Sequence, residues 1–368
     1  MNAKRARKSS SENELGVLRN QIQDVTKSIL KLAKARQSLS ERVALIKKSK
    51  QIPIENRRVE SLLAYSMEEY AKSIDLDQQL VNRVTKSLIE SSKSAQRRVV
   101  FQKRIRDHLH SQGIHRVGVV GVGRMGSWFA NYFKQFAQVS LYDSDSKLAR
   151  RRARVLQCDF AASLDEIAES DLIVVAVPIS ETSKTVSKLG KINSKAKLIE
   201  ISSLKERVLS KVSKNRLFSI HPLFGSSADQ FGRNSIIVIN DGFRFVKGFF
   251  PHFLVFTLSA REHDKLMACL LSLPHILALV FADVSSKRKL QSRLSTPSFD
   301  AFLEIARKTL SENPQVYHEI QSHNKYDFGM LREIQDSSKR LATLLSRGHY
   351  TEFEKFFFNT RKSLKTKT

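Results

Sequence analysis

The stretch Phe218 to Gly225, FSIHPLFG, places an imidazole at the end of a short apolar run, directly before a proline. Proline donates no backbone hydrogen bond, so the run reads as a strand ending in a corner. A histidine at the carboxyl end of a strand stands where open α/β sheets hold their ligands. An imidazole that titrates near neutrality can take a proton from a reacting hydroxyl. His221 is therefore a candidate base, against the plainer reading of a corner histidine satisfied by a carbonyl. Upstream, EISSLKE ends another apolar run with Ser202, Ser203 and Lys205. Downstream, REHDKLMACLLSLPHILAL carries His263 and His275, the second inside an apolar helical face.

A second constellation is Gly121, Gly123 and Gly126, a G-x-G-x-x-G set after the β-branched run RVGVV. The first glycine permits a tight turn, the second lets a pyrophosphate approach the backbone, and the third lets the following helix pack closely. The helix N-terminus then offers N–H donors to phosphate. About twenty residues on, QVSLYD ends in Asp143, placed to accept ribose hydroxyls, which favours NAD over NADP. Arg150, Arg151 and Arg152 keep NADP as the alternative.

The third constellation is helical. Leu15, Leu18, Ile22, Val25, Ile29 and Leu32 recur three and four apart, and Leu39, Val43 and Ile46 resume the seam. Arg36 fills the gap, and a guanidinium there demands an anion, from the bundle or from a ligand. Lys47 lies about three turns on, nearly on the same face, so two long cations can converge on one small molecule. Arg19 lies about 25 Å away along the axis and is rotated off that face. It suits the site of a second chain in an antiparallel dimer. Ser92 and Gln96 share a face of a later helix.

These residues need three blocks to position them. Residues 12–105 read as an all-α, three-helix block behind a basic disordered tail, 1–11, with the second helix over 57–71. A linker, 106–114, leads to a doubly wound, Rossmann-like α/β domain, 115–261, its strands at RVGVV, QVSLYD, DLIVVAVP, KLIEIS, LFSIH and SIIVIN. An all-α domain, 262–368, follows, and no regulatory domain is expected after it. The fold class is multidomain, helical at both ends. A length of 368 residues accommodates this.

Cys158 and Cys269 show no metal-ligand spacing and are too few for a disulfide framework, so no metal is expected. No apolar run is read as long enough for a bilayer, and MNAKRARKSS lacks the apolar core of a secretory signal, which points to a cytoplasmic protein. The formal charge of +27 raises nucleic acid as a partner. The excess is spread along the chain, without zinc-finger spacing or an aromatic-basic RNA signature, so nucleic acid is not the expected partner despite the charge.

From about Arg116 onward, GVGRMG, VAVP, SSLK, HPLFG, EHD…PH and TPSFDAFLEIARKTLSENPQVY occur in an order that resembles prephenate dehydrogenase, the NAD-linked enzyme of tyrosine biosynthesis. The resemblance implies oxidative decarboxylation, with His221 as the base and Ser203 hydrogen-bonded to it and to substrate. His275 would stand at the substrate, and His263 is a further candidate for substrate binding beside what the resemblance implies. It implies a cofactor site of Gly121, Gly123, Arg124, Met125, Gly126, Asp143, Val177 and Pro178. The family's carboxylate-anchoring arginine falls on Lys308, with Arg307 beside it, which leaves two candidate anchors and leaves arogenate as an alternative to prephenate.

Residues 12–100, through LRNQI, KARQSL, VALIKKSKQIPI, VESLL and LIESSKSAQ, resemble the all-helical class of chorismate mutase. By that resemblance Arg36 and a second chain's Arg19 hold two carboxylates, and Lys47 and Gln96 meet the ether oxygen. Glu60 accepts from the ring hydroxyl, Ser92 lines the site, and Asn56 stands where the family has aspartate. The combined expectation is a homodimer that converts chorismate to prephenate and oxidises prephenate to 4-hydroxyphenylpyruvate. A mutase-like block kept only for dimerisation is the alternative.

Overall fold

The computed structural model describes residues 2–212, 216–288, 294–346, 348 and 350–365, so Met1 and the end of the basic C-terminal run lie outside the described residues. Three helices open the chain: α1 (Asn2–Ser49), α2 (Arg57–Ser73) and α3 (Gln78–Ser111). The helix α1 takes in most of the segment expected as a disordered tail. It stops where Gln51 adopts a φ of 55°, Ile52 N–H reaches back to the Lys47 carbonyl at 2.8 Å, and Pro53 follows. Asn56 caps α2 through Val59 N–H, and Asp77 caps α3 through Leu80 N–H.

The expected linker, 106–114, is corrected. The helix α3 runs through it to Ser111 and ends at Gly113, whose φ of 66° lets Ile114 N–H bond the Leu109 carbonyl at 2.9 Å. Ile105, Leu109 and Ile114 are buried in the main core of the α/β domain. His108 donates from Nε2 to the Phe245 carbonyl (3.0 Å) and lies edge-on to Phe249. Glycine at 248 makes this approach feasible, since a Cβ there would stand 2.3 Å from the His108 ring. The apolar stripe of α3 thus passes directly from the helical block into the sheet domain.

The sheet has eight strands, β1 (Arg116–Val120), β2 (Gln138–Tyr142), β3 (Asp159–Phe160), β4 (Leu172–Val175), β5 (Lys197–Glu200), β6 (Leu217–Pro222), β7 (Ser235–Ile239) and β8 (Leu254–Leu258). Their order is β3-β2-β1-β4-β5-β6-β7-β8. From β3 to β6 neighbours are parallel; β7 runs antiparallel to β6, and β8 is parallel to β7. The order reverses between β1 and β4, which opens a ligand crevice at their carboxyl ends. All six expected strands are present, and β3 and β8 are additional.

Ser259 and Glu262 form a reciprocal capping box that starts the C-terminal helical domain at Ala260. The helix Ala260–Met267 continues through a π-helical segment, Ala268–Ser272, into Leu273–Ser286. By length and composition this run is long and apolar enough to cross a bilayer, which corrects the expectation that none is. In the fold its first half is buried against the sheet domain through His263, Asp264 and Met267, and its second half packs on Pro297–Leu310. Helices Pro314–His323, Asp327–Ser346 and Tyr350–Lys365 complete the domain. The seam on α1 is exposed in the single chain, with Ile22, Val25, Ile29 and Leu32 all more than half accessible.

Candidate active sites

One cavity of about 230 Å³ lies among α1, α2 and α3. Its lining includes Arg36, Lys47, Asn56, Glu60, Ser92 and Gln96, six of the residues expected there. The Arg36 guanidinium donates to the Leu88 carbonyl and to Ser92 Oγ. Lys47 Nζ donates to the Ile54 carbonyl at 2.6 Å, across the α1–α2 turn. Glu60 accepts from Asn56 N–H and, on its other oxygen, from Lys93 Nζ at 3.1 Å. Gln96 Oε1 is buried without a hydrogen-bond partner. Burial pulls both the Arg36 guanidinium and the Lys47 ammonium below their usual ranges, with Glu60 opposing it at Lys47. Three cations against one carboxylate make this a site for a small anion. Lys93 was missed because its register on α3 gave no signal of its own. Arg19 is exposed and does not line the cavity.

At the crevice, Gly121 has a φ of 89°, and a Cβ on it would stand 2.4 Å from the Ala176 carbonyl oxygen. A Cβ on Gly126 would meet the Gly121 oxygen at 1.9 Å, whereas one on Gly123 would meet open space. The first and third glycines are thus fixed by the protein itself, and the middle one faces the room a pyrophosphate needs. No side chain caps the helix Arg124–Phe133 that follows, so its N-terminal donors remain for phosphate. Asp143 accepts from Val122 N–H (2.8 Å) and Asp145 N–H (3.0 Å), which locks the glycine turn to the end of β2. These features fit a dinucleotide. Met125 and Val177 are half-buried beside this crevice, and Pro178 is exposed at the start of helix Ile179–Ile192. Arg124, expected at the cofactor, pairs instead with Glu312 (2.6 Å) and the Ser311 carbonyl. Glu319, a residue missed in the sequence, accepts from Ser180 N–H and Oγ and so docks the C-terminal domain on that same helix start.

His221 is buried at the end of β6. Its Nδ1 lies 2.9 Å from His263 Nε2, and His263 Nδ1 lies 2.7 Å from Asp264 Oδ1. Asp264 also accepts Lys205 N–H on Oδ1 and Glu206 N–H on Oδ2, both at 2.9 Å, so both of its oxygens serve as acceptors. One proton arrangement satisfies the row: His263 donates from Nδ1 to Asp264, and His221 donates from Nδ1 to His263 Nε2. That leaves His221 Nε2 bare, with no protein partner among the described residues. Burial, then the neighbouring His263 and Lys205, holds His221 well below the usual histidine range, so the ring is neutral near pH 7. Burial also lowers His263, against the pull of Asp264. Beneath them Lys205 Nζ donates to Glu200 (2.7 Å) and to the Ile220 carbonyl (2.7 Å), fixing the strand one residue before His221.

Two expectations are corrected here. Ser203 has no hydrogen bond to His221; His263 takes that place. His263 is fully buried behind His221 and cannot line the substrate space. His275 is half-buried, edge-on to Tyr317 at 4.3 Å, with Nδ1 unpartnered and its pKa lowered by burial to about 4. Arg307 and Lys308 are exposed and form no ion pair among the described residues.

Sequence profiles of three families match in chain order: "Chorismate mutase type II" over residues 18–97, "Prephenate dehydrogenase, nucleotide-binding domain" over 129–236, and "Prephenate dehydrogenase, dimerization domain" over 259–359. The T-protein of Haemophilus influenzae is 23% identical over 365 residues, spanning 93% of this chain and 87% of that protein. A probable arogenate/prephenate dehydrogenase of Methanocaldococcus jannaschii is 23% identical over 228 residues, which span 55% of this chain and half of that relative's length. A crystal structure of the prephenate dehydrogenase of Aquifex aeolicus, in complex with hydroxyphenyl propionate and NAD+, shares the fold with a TM-score of 0.58 at 18% identity, covering 67% of this chain and 96% of that one. With a mutase block, a nucleotide-binding sheet and a dimerisation domain matched in succession, the chain belongs to the bifunctional chorismate mutase–prephenate dehydrogenase family.

Proposed function

We propose that this protein rearranges chorismate to prephenate in the helical cavity and oxidises prephenate to 4-hydroxyphenylpyruvate at the sheet crevice, as a cytoplasmic homodimer. The observation that carries the reading is the convergence of Arg36, Lys47, Asn56, Glu60, Ser92 and Gln96 on one cavity. Arg36 and Arg19 of a second copy hold the two carboxylates. Lys47 and Gln96 meet the ether oxygen, where negative charge grows as the C–O bond breaks. Glu60 accepts from the ring hydroxyl, and Asn56 and Ser92 complete the wall. No nucleophile or base is needed: the cavity holds the reactive conformer and stabilises the developing charge. The second copy lies along the exposed seam of α1, and the apolar run Leu273–Ser286 serves the C-terminal dimer face.

At the crevice, Gly121, Gly123, Gly126, Asp143 and the donors at Arg124 and Met125 hold NAD against the sheet, with Val177 and Pro178 flanking it. When bound, its nicotinamide supplies the hydride acceptor. His221 takes the hydroxyl proton on Nε2 as the carbon bearing that hydroxyl gives up hydride. The C–CO2 bond then breaks, its electrons enter the ring, carbon dioxide leaves, and the ring oxygen takes the proton back from His221 to end as a phenol. His263 and Asp264 act as positioning residues that keep Nε2 bare. His275 contacts the substrate through its unpartnered ring nitrogen, and Arg307 or Lys308 meets the side-chain carboxylate. The basic surface favours these anionic molecules.

The test supplies chorismate and NAD+ without prephenate and follows NADH. Its appearance supports both sites working in series. No NADH until prephenate is added would mean the mutase block is silent. No NADH even then, but turnover of arogenate, would overturn the substrate assignment.

A further inference from the structure

In the α1–α2 turn, Ile54 and Asn56 line the mutase cavity, and Glu55 between them does not. Ile54 gives its carbonyl to Lys47, and Asn56 caps α2 and bonds Glu60. Glu55, between them, reaches the dehydrogenase side. Its Oε1 accepts from Arg97 Nη2 at 2.9 Å, and its Oε2 lies 3.5 Å from Arg233 Nη1. Arg97 follows Gln96 on α3 and is only 5% exposed, and its Nη1 donates to the Phe231 carbonyl at 3.3 Å. Phe231 and Arg233 belong to the loop that leaves β6 after His221. That loop is tied to the glycine-turn helix by Trp128 Nε1, which donates to the Ala228 carbonyl at 2.8 Å. Beside these contacts a polar cleft of about 780 Å³ lies between α3 and this part of the sheet domain.

We propose that Glu55, Arg97 and Arg233 form an interdomain clamp through which the dehydrogenase domain positions the α1–α2 turn, and with it Lys47 and Glu60, for the rearrangement. The proposal rests on the reading of the helical block as an active mutase. Its physical basis is that the turn has one residue gripping the other domain and one on either side setting a mutase group. The hydrogen bond from Arg97 holds the Glu55 carboxyl below its usual range, against burial, and Arg233 adds to it. Arg97, being buried, loses its counter-charge if Glu55 is neutralised, and the turn loses its fixed point. Lys47 and Glu60 then sample positions that bind chorismate but do not meet the breaking bond. The signature is a fall in mutase kcat larger than any rise in KM.

The experiment compares wild-type enzyme, Glu55→Gln, Arg233→Ala and the double variant, all full-length. Mutase kcat and KM are measured on chorismate, and dehydrogenase turnover on added prephenate. Glu55→Gln should lower mutase kcat about tenfold, within the range of couplings between linked sites. Arg233→Ala removes an exposed group of the other domain and should lower it about threefold, as a surface ion pair allows. The double variant should be no slower than Glu55→Gln alone, and dehydrogenation should stay within about twofold throughout. Unchanged mutase kcat in both single variants, or losses that multiply, would overturn the clamp. So would a Glu55→Gln loss matched by an equal dehydrogenase loss and a lower melting temperature, the mark of plain destabilisation. If Glu55→Gln fails to fold, Arg233→Ala decides alone, and an unchanged kcat sinks the idea. A wild-type enzyme without mutase turnover removes the reading beneath the clamp, a result distinct from an active wild type with indifferent variants.

Discussion

Replacing His263 with leucine tests whether His221 owes its reactive form to the row behind it. The ring is buried, so its two neutral tautomers are chosen by what Nδ1 meets, and Nδ1 meets His263 Nε2 at 2.9 Å. Leucine removes that acceptor. A buried donor left unpaired costs about 1–3 kcal/mol. At about 1.36 kcal/mol per tenfold, the preference for a bare Nε2 falls by a factor of about 5 to 150. Dehydrogenase kcat on saturating prephenate and NAD+ should fall by a factor in that range, while mutase kcat is untouched. The acid limb of the pH profile should stay below the ordinary histidine range, because burial is the first cause of the low pKa of His221 and burial remains. The plateau drops; the limb barely moves. His263→Gln, whose amide oxygen can accept from Nδ1 and whose amide nitrogen can donate to Asp264, should recover most of the loss. If His263→Leu kept kcat within about twofold of wild type while His221→Asn was inactive, the tautomer argument would be refuted.

His221→Asn should cut dehydrogenation by about 10²–10⁴, the usual contribution of a general base, with chorismate turnover retained; Arg36→Ala should do the reverse. Steady-state assays of each half-reaction check both. Mixing Arg36→Ala with Arg19→Ala protein, refolded together, should restore about a quarter of the mutase sites, because one of the two sites in each mixed dimer keeps both arginines. No recovery would place Arg19 outside the partner's site. His252, stacked on Phe231, has its pKa lowered by burial from 6.5 to about 4. A histidine whose folded value lies below its unfolded one adds stability that is full above about pH 6.5 and lost as pH falls towards 4, here about 3 kcal/mol. Urea unfolding of wild type and His252→Phe at pH 7 and pH 5 should show the variant with the flatter acid limb.

What could be read from the sequence was whatever local spacing encodes. The glycine turn, Asp143 and the His-Pro corner sit on single elements, and their residue types are demanded by the chemistry. The mutase residues were legible because Arg36 breaks an apolar seam and Lys47 returns to its face. What was not legible depends on which elements pack together. Ser203 looked like the partner of His221, yet helix Ala260–Met267 docks beneath β6 and brings His263 there instead. Arg124 was expected at the cofactor, and nothing in its motif announces that its side chain pairs with Glu312 of another domain. The false linker was avoidable, since Phe101, Ile105 and Leu109 continue one stripe at four-residue spacing through the supposed boundary. The strand β8 is an edge with Leu254 and Phe256 exposed, so it lacks the alternation that marks a half-buried strand.

The continuity of α3 bears on why the two activities share a chain. Its first half carries Ser92 and Gln96 into the mutase cavity; its second half puts Ile105 and Leu109 into the dehydrogenase core and His108 onto Phe245 and Phe249. Each fully buried leucine or isoleucine contributes about 1.5–3 kcal/mol. The two therefore account for a sum comparable to a large part of the 5–15 kcal/mol by which a domain is stable. A dehydrogenase cut free at residue 114 would lose that contribution and bare the Phe245–Phe249 surface. A mutase cut free at residue 100 would lose the Phe231 carbonyl from Arg97 and leave Glu55 without Arg233. The two catalytic centres stay separate in chemistry, with no shared catalytic residue. They are joined in mechanics, because the helix that walls one is a core element of the other.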